Sequence, residues 1–207
     1  EQWMIDNKDA VIDLQAGYLE AGTDIIFAPT FTSNRIKLAE FGKEDYISFY
    51  NSELVNLSKK AVDIYRERTG SKRKIYIAGD ITMTGRIVAP HGSMPFEELI
   101  NVYKEQFKYL IAAGIDLFVI ETMMSLQECR AALIAAHELC DLPVMVSLTY
   151  NENNRTLYGT DPVTAITVLQ AMGADAVGVN CSTGSEKMKG IVRQMKEIAY
   201  VPVIAKP

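Results

Sequence analysis

Ala113-Gly114-Ile115-Asp116-Leu117-Phe118 decides the fold, because the same joint occurs twice more, as Ala21-Gly22-Thr23-Asp24-Ile25-Ile26 and as Met172-Gly173-Ala174-Asp175-Ala176-Val177. Each time a helical run stops at a glycine, the residue that closes a helix in the left-handed conformation without a Cβ penalty. An aspartate follows two residues later, and an apolar run begins at once. The joint leads from a helix into a buried parallel strand, and the chain uses it repeatedly.

Working outward, six strands are expected: 24–30, 74–80, 116–121, 143–149, 174–181 and 201–206. Amphipathic helices separate them. Leu54, Leu57, Ala61, Ile64 and Tyr65 share one helical face, as do Phe96, Leu99, Tyr103, Phe107 and Leu110, and Met188, Ile191, Val192, Met195 and Ile198. Ser125 and Glu128 have capping-box spacing. Asp161 before Pro162 reads as an N-cap with proline at the first helical position. A further helix over about residues 6–21 precedes the first strand.

Alternating helices and apolar strands give an α/β fold with a parallel sheet and helices outside it. A doubly wound sheet that binds dinucleotides has no support, since no Gly-x-Gly-x-x-Gly follows the first strand. A (β/α)8 TIM-type barrel has positive support. The strands end in polar residues, Thr30, Asp80, Glu121, Thr149, Asn180 with Cys181, and Lys206; in such a barrel, strand tips converge on one mouth. About six strands are visible where a closed barrel takes eight. The expectation is therefore a single partial barrel domain over residues 1–207, with one strand before residue 1 and one after residue 207.

Bulk composition narrows the function classes. Net charge is −5 and no basic cluster exceeds Lys72-Arg73-Lys74, which argues against a nucleic-acid or anionic-membrane partner. No run reaches transmembrane length and no signal peptide is visible. Three cysteines without disulfide-framework spacing point to a reducing cytoplasm.

The chemistry concentrates at the strand tips. Gly178-Val179-Asn180-Cys181-Ser182 places a thiol at the end of a strand and just before a helix starting near Ser185. A helix N-terminus is electropositive, and positive potential favours thiolate over thiol. The plainer alternative is a small buried hydrophobe. That alternative suits Cys129 and Cys140, which share a stripe with Leu133 and Ala136 at core spacing. Glu121 could bind an ammonium group, act as a general base, or form a structural ion pair; Asp80 has similar readings. Thr30, Thr32 and Asn34 could bond a substrate's polar end or cap their own loop. His91 lies in a loop that could reach the mouth. Lys206 admits Schiff-base chemistry or an ion pair. Cys181 is the only cysteine at a strand tip, so the residues alone leave two choices open: an incomplete thiolate–metal site and a lysine-based site.

Taken together, the segments 18–26, 30–38, 78–85, 121–122, 157–162 and 178–182 resemble the homocysteine S-methyltransferase family, and most of all the N-terminal homocysteine-binding module of cobalamin-dependent methionine synthases. The matches keep the family's order over nearly the whole chain. Thr32 stands where a glycine is common, and Thr82-Met83 replaces a usual Gly-Pro. The resemblance implies zinc-dependent methyl transfer to the thiol of homocysteine, giving methionine. It makes Cys181 the first zinc-binding cysteine, with an adjacent cysteine pair expected beyond residue 207. It gives Glu121 to the substrate's amino group, and Thr30, Thr32, Asn34, Asp80 and Asn180 to the homocysteine site. Methylcobalamin is the implied donor and a cobalamin-binding domain or protein the implied partner. The alternatives are a non-catalytic barrel remnant or binding module, and a Schiff-base lyase using Lys206.

Overall fold

The computed structural model describes residues 1–182 and 184–207. In chain order the elements are α1 (Gln2–Asp6), α2 (Lys8–Glu20), β1 (Ile25–Ala28), α3 (Arg35–Ala39), α4 (Ile47–Thr69), β2 (Tyr76–Ile81), α5 (Phe96–Ala113), β3 (Leu117–Met123), α6 (Leu126–His137), β4 (Val144–Leu148), α7 (Pro162–Ala171), β5 (Ala176–Asn180), α8 (Ser185–Lys196) and β6 (Val203–Lys206). The strand order is β1-β2-β3-β4-β5-β6, and the β1–β2, β4–β5 and β5–β6 pairs are parallel. A doubly wound sheet reverses its order at a switch point. Unreversed order with helices between strands is that of a TIM-type barrel, here with six of its eight strands.

Two compact units form: Glu1–Ile81 with Glu105–Phe118, and Thr82–Lys104 with Val119–Pro207. In the first, the apolar faces of α2 and α4 bury Val11, Ile12, Tyr50, Leu54, Leu57 and Ala61 against one another. Fully burying each leucine contributes about 1.5–3 kcal/mol. On β2, a Cβ at Gly79 would lie 2.9 Å from Ile115 and 3.0 Å from Leu110, so the glycine lets these side chains seat directly on the strand. The Phe107 and Phe118 rings stack at 4.6 Å. In the second unit, the alanine-rich face of α6 (Ala131, Ala132, Ala135, Ala136) is buried, as are Val144, Val146, Val177 and Val179 on the strands and Met188, Ile191 and Met195 on α8.

The recurring joint behaves as expected at its glycines: Gly22, Gly114 and Gly173 have φ of 109°, 79° and 91°. Its aspartates do more than mark a strand. Asp116 accepts the Ile77 N–H on β2 at 2.8 Å, and its own N–H donates to the Ile77 carbonyl at 2.8 Å. Asp175 repeats this on Val144 of β4, with both bonds at 2.8 Å. Each aspartate clips its strand to the start of the preceding one. Asp24 instead pairs with Arg73 at 2.8 Å.

Candidate active site

Asn180 ends β5 fully buried, and its side-chain amide organises the surrounding strand tips. Its Nδ2 donates to Thr122 Oγ1 at 2.8 Å and to Cys181 Sγ at 3.2 Å. Its Oδ1 accepts from the Thr122 N–H at 3.0 Å and from Ser147 Oγ at 2.9 Å. Thr149 Oγ1 donates to the Asn180 carbonyl at 3.1 Å. The tips of β3, β4 and β5 are thus tied by one asparagine, which holds the exposed Cys181 thiol from beneath.

The backbone departs from strand geometry at the same place. Thr122, Cys181 and Ser182 have φ of 58°, 60° and 63°. A left-handed conformation is uncommon for any non-glycine residue and a clear outlier for a β-branched one. It turns the chain sharply as it leaves β5, before α8 begins at Ser185 with Gly184 as its N-cap.

Glu121 precedes Thr122 and is 8% exposed. Its Oε2 pairs with Lys206 Nζ. The backbone N–H of Cys181 donates to the Lys206 carbonyl at 3.0 Å. Glu121, Cys181 and Lys206 thus lie at the ends of β3, β5 and β6, with the first and last joined as an ion pair and Cys181 joined to Lys206 through the backbone.

In the first unit, Thr30 Oγ1 donates to the Asp80 carbonyl at 2.8 Å and accepts the Asp80 N–H at 3.1 Å. Asn34 caps α3 by accepting the Lys37 N–H at 2.9 Å. Thr32 turns both its N–H, at 3.1 Å, and its hydroxyl to the Glu1 carboxylate. Thr30 and Asn34 are fully buried and Asp80 is 7% exposed.

Other expected groups lie elsewhere. Cys129 is buried on α6, and burial pushes its thiol well above the ordinary range, as suits a core residue. His91 lines a cleft of about 750 Å³ with Arg86, Arg130 and Tyr158; Cys181 does not line that cleft. Ser125 caps α6 through the Glu128 N–H at 3.3 Å. The buried Glu128 carboxylate accepts from Thr84 N, Thr84 Oγ1 and Tyr103 OH, each at 3.0 Å, anchoring the loop after β2. From the sequence, Glu128 stood out only as a helix-capping partner and Thr122 only as part of the segment 121–122, and Ser147 did not stand out at all. Thr122 and Ser147 were discoverable only through their place beside tip residues. Among the described residues no group of three His, Cys, Asp or Glu side chains could hold a metal ion.

A sequence model of the family described as homocysteine S-methyltransferase matches residues 1–207. Among solved structures, the metallated form of the homocysteine methyltransferase MmuM from Escherichia coli superposes with a TM-score of 0.86 at 17% identity, covering 99% of this chain and 73% of that one. Its oxidized form gives 0.86 at 17% identity over 98% and 72%. Its apo form gives 0.78 at 17% identity over 98% and 72%. At such identity the likeness establishes the fold.

Proposed function

Because this chain belongs to the homocysteine S-methyltransferase family, we propose that it binds homocysteine and presents its sulfur for methyl transfer, giving methionine. The observation that carries the reading is the meeting of Glu121, Lys206, Thr122, Asn180 and Cys181 at neighbouring strand tips. Homocysteine has an ammonium at one end and a thiol at the other. Glu121 takes the ammonium in a charge-assisted hydrogen bond. The sulfur then lies toward Cys181. Asn180 and Thr122 fix the position of Cys181, so orientation is set before the substrate arrives. The resemblance of residues 30–38 and 78–85 to the family assigns Thr30, Thr32, Asn34 and Asp80 to homocysteine binding as well.

The donors present do not make a zinc site by themselves. A catalytic zinc takes three protein ligands, and among the described residues no such group exists. We assign Cys181 as one ligand of a zinc ion whose remaining cysteines lie beyond residue 207, methylcobalamin as donor, a cobalamin-binding domain or protein as partner, and the cytoplasm as location. Three free cysteines agree with that location.

The test is methyl transfer by the full-length protein from methylcobalamin to homocysteine, with metal analysis beside it. Methionine formation and zinc that is lost on Cys181→Ser are expected. Failure to form methionine with any methyl donor would sink the reading. The second reading is a binding module without activity; an adjacent cysteine pair encoded just past residue 207 would decide against it. Lys206 as a Schiff-base lysine is disfavoured, since its Nζ is engaged by the Glu121 carboxylate.

A further inference from the structure

We infer that Gln106 on α5 and Asn51 on α4 are positioning residues for the homocysteine site, acting by fixing the loop that runs from the end of β1 to the start of α3. This rests on the proposed reading that Thr30, Thr32 and Asn34 contact the substrate.

Both side chains are costly to bury. Both amides are fully buried on helices whose inward faces are otherwise mostly apolar, Ser58 on α4 being a further buried polar residue. A buried amide without hydrogen bonds costs roughly 1–3 kcal/mol in proteins, so its presence calls for a partner that needs it. The partners here are loop carbonyls. Gln106 Nε2 donates to the Thr30 carbonyl at 3.0 Å and to Asn51 Oδ1 at 3.2 Å. Asn51 Nδ2 donates to the Ser33 carbonyl at 2.9 Å and to the Ile47 carbonyl at 2.8 Å.

Residues 29–34 follow the last residue of β1 and precede α3, so no strand ladder holds them. Their internal support includes a turn in which the Ser33 N–H donates to the Thr30 carbonyl at 3.0 Å. That turn sets the loop's shape but not its place. The two amides supply the place: they pin its carbonyls at residues 30 and 33 to two helices. Thr30 is held again through Asp80, by the hydroxyl that bridges β1 to β2. The loop carrying the proposed contacts is thus fixed by buried amides that touch no substrate themselves.

Steady-state kinetics of the full-length protein test this with Gln106→Met, which keeps volume and removes the donor. The temperature is one where circular dichroism shows every variant folded. The KM for homocysteine should rise about tenfold, with kcat within twofold and zinc content unchanged. Asn51→Asp, which keeps the acceptor for Gln106 and loses the donors, should behave alike. A KM within twofold of the unsubstituted protein, whatever the loss in melting temperature, would assign both residues to structure alone and overturn the inference. If Gln106→Met does not fold, Gln106→Glu is read by the same criterion. An unsubstituted protein that does not methylate homocysteine is a different result: it removes the proposed function, and this inference with it.

Discussion

Thr122 on β3 and Cys181 just past the end of β5 both hold left-handed backbone conformations at φ 58° and 60°, with Oγ1 and Sγ 3.9 Å apart. Each such residue costs on the order of 1–3 kcal/mol and persists only where its surroundings over-determine it. Here Asn180 over-determines both. It bonds the Thr122 backbone and hydroxyl, and it bonds the Cys181 sulfur.

Asn180→Leu keeps the bulk and removes the amide. It should lower unfolding stability by about 2–4 kcal/mol, because Thr122 N–H and Ser147 Oγ lose their acceptor in a buried place. In the full-length protein, zinc content should fall as Cys181 loses its fixed position. Urea unfolding and metal analysis check the two effects. Unchanged zinc would show that Cys181 needs no such support.

Glu121→Ala should weaken homocysteine binding by about 1.5–3 kcal/mol with zinc content unchanged, as expected for loss of a charge-assisted bond. Lys206→Met should act in the opposite sense. Lys206 Nζ holds Glu121 where the substrate ammonium would sit. Because the lysine side chain is 45% exposed, solvent screens the pair and limits the gain to about fivefold. Titration calorimetry reads both. Weaker binding in the lysine variant would mean that Lys206 helps the substrate rather than competes with it.

Gly178→Ala should destabilise the protein by about 1–3 kcal/mol or more. A Cβ there would lie 2.1 Å from the Ile204 carbonyl oxygen, and the obstacle is backbone of the neighbouring strand β6. Gly79→Ala meets only side-chain ends at 2.9 and 3.0 Å and should cost less. Thermal unfolding of the pair checks the ranking.

Asp161→Ala should cost about 0.5–2 kcal/mol at neutral pH through loss of the α7 cap. The Thr164 N–H, followed by its hydroxyl and Arg155, holds the Asp161 carboxyl below its usual value. A depressed folded-state pKa gives stability that is present above the unfolded value and lost as pH falls through the folded one. The gap between the two proteins should therefore shrink in acid. A gap independent of pH would assign the effect to packing.

Much of this was legible in the sequence because it is local. Glycine two residues before aspartate marks a turn the backbone must make, and Gly22, Gly114 and Gly173 make it. Asp161 before Pro162 caps its helix as read. All six strands were placed, with ends shifted by a few residues; β3 runs on to Met123. What was not legible is nonlocal. The Ser125–Glu128 capping spacing is local and Ser125 does cap α6, but nothing near Glu128 in sequence shows that Thr84 and Tyr103 bring its carboxylate three buried donors. The short helix α3 follows an Asn34 cap that reads equally as loop. The left-handed turn at Thr122 leaves no trace in composition, since threonine is among the residues least suited to it.

The aspartate clips at the strand starts have a consequence for how such a chain can change. Asp116 fixes β3 against Ile77, and Asp175 fixes β5 against Val144, from the end of each strand opposite Thr122 and Cys181. Alignment is secured where no chemistry happens. Loops at the other end can then lengthen, shorten or exchange residues without making a strand slip. Divergence in substrate or donor preference is thereby separated from the hazard of misalignment, and a family built on this plan can explore new reactions while inheriting its scaffold intact.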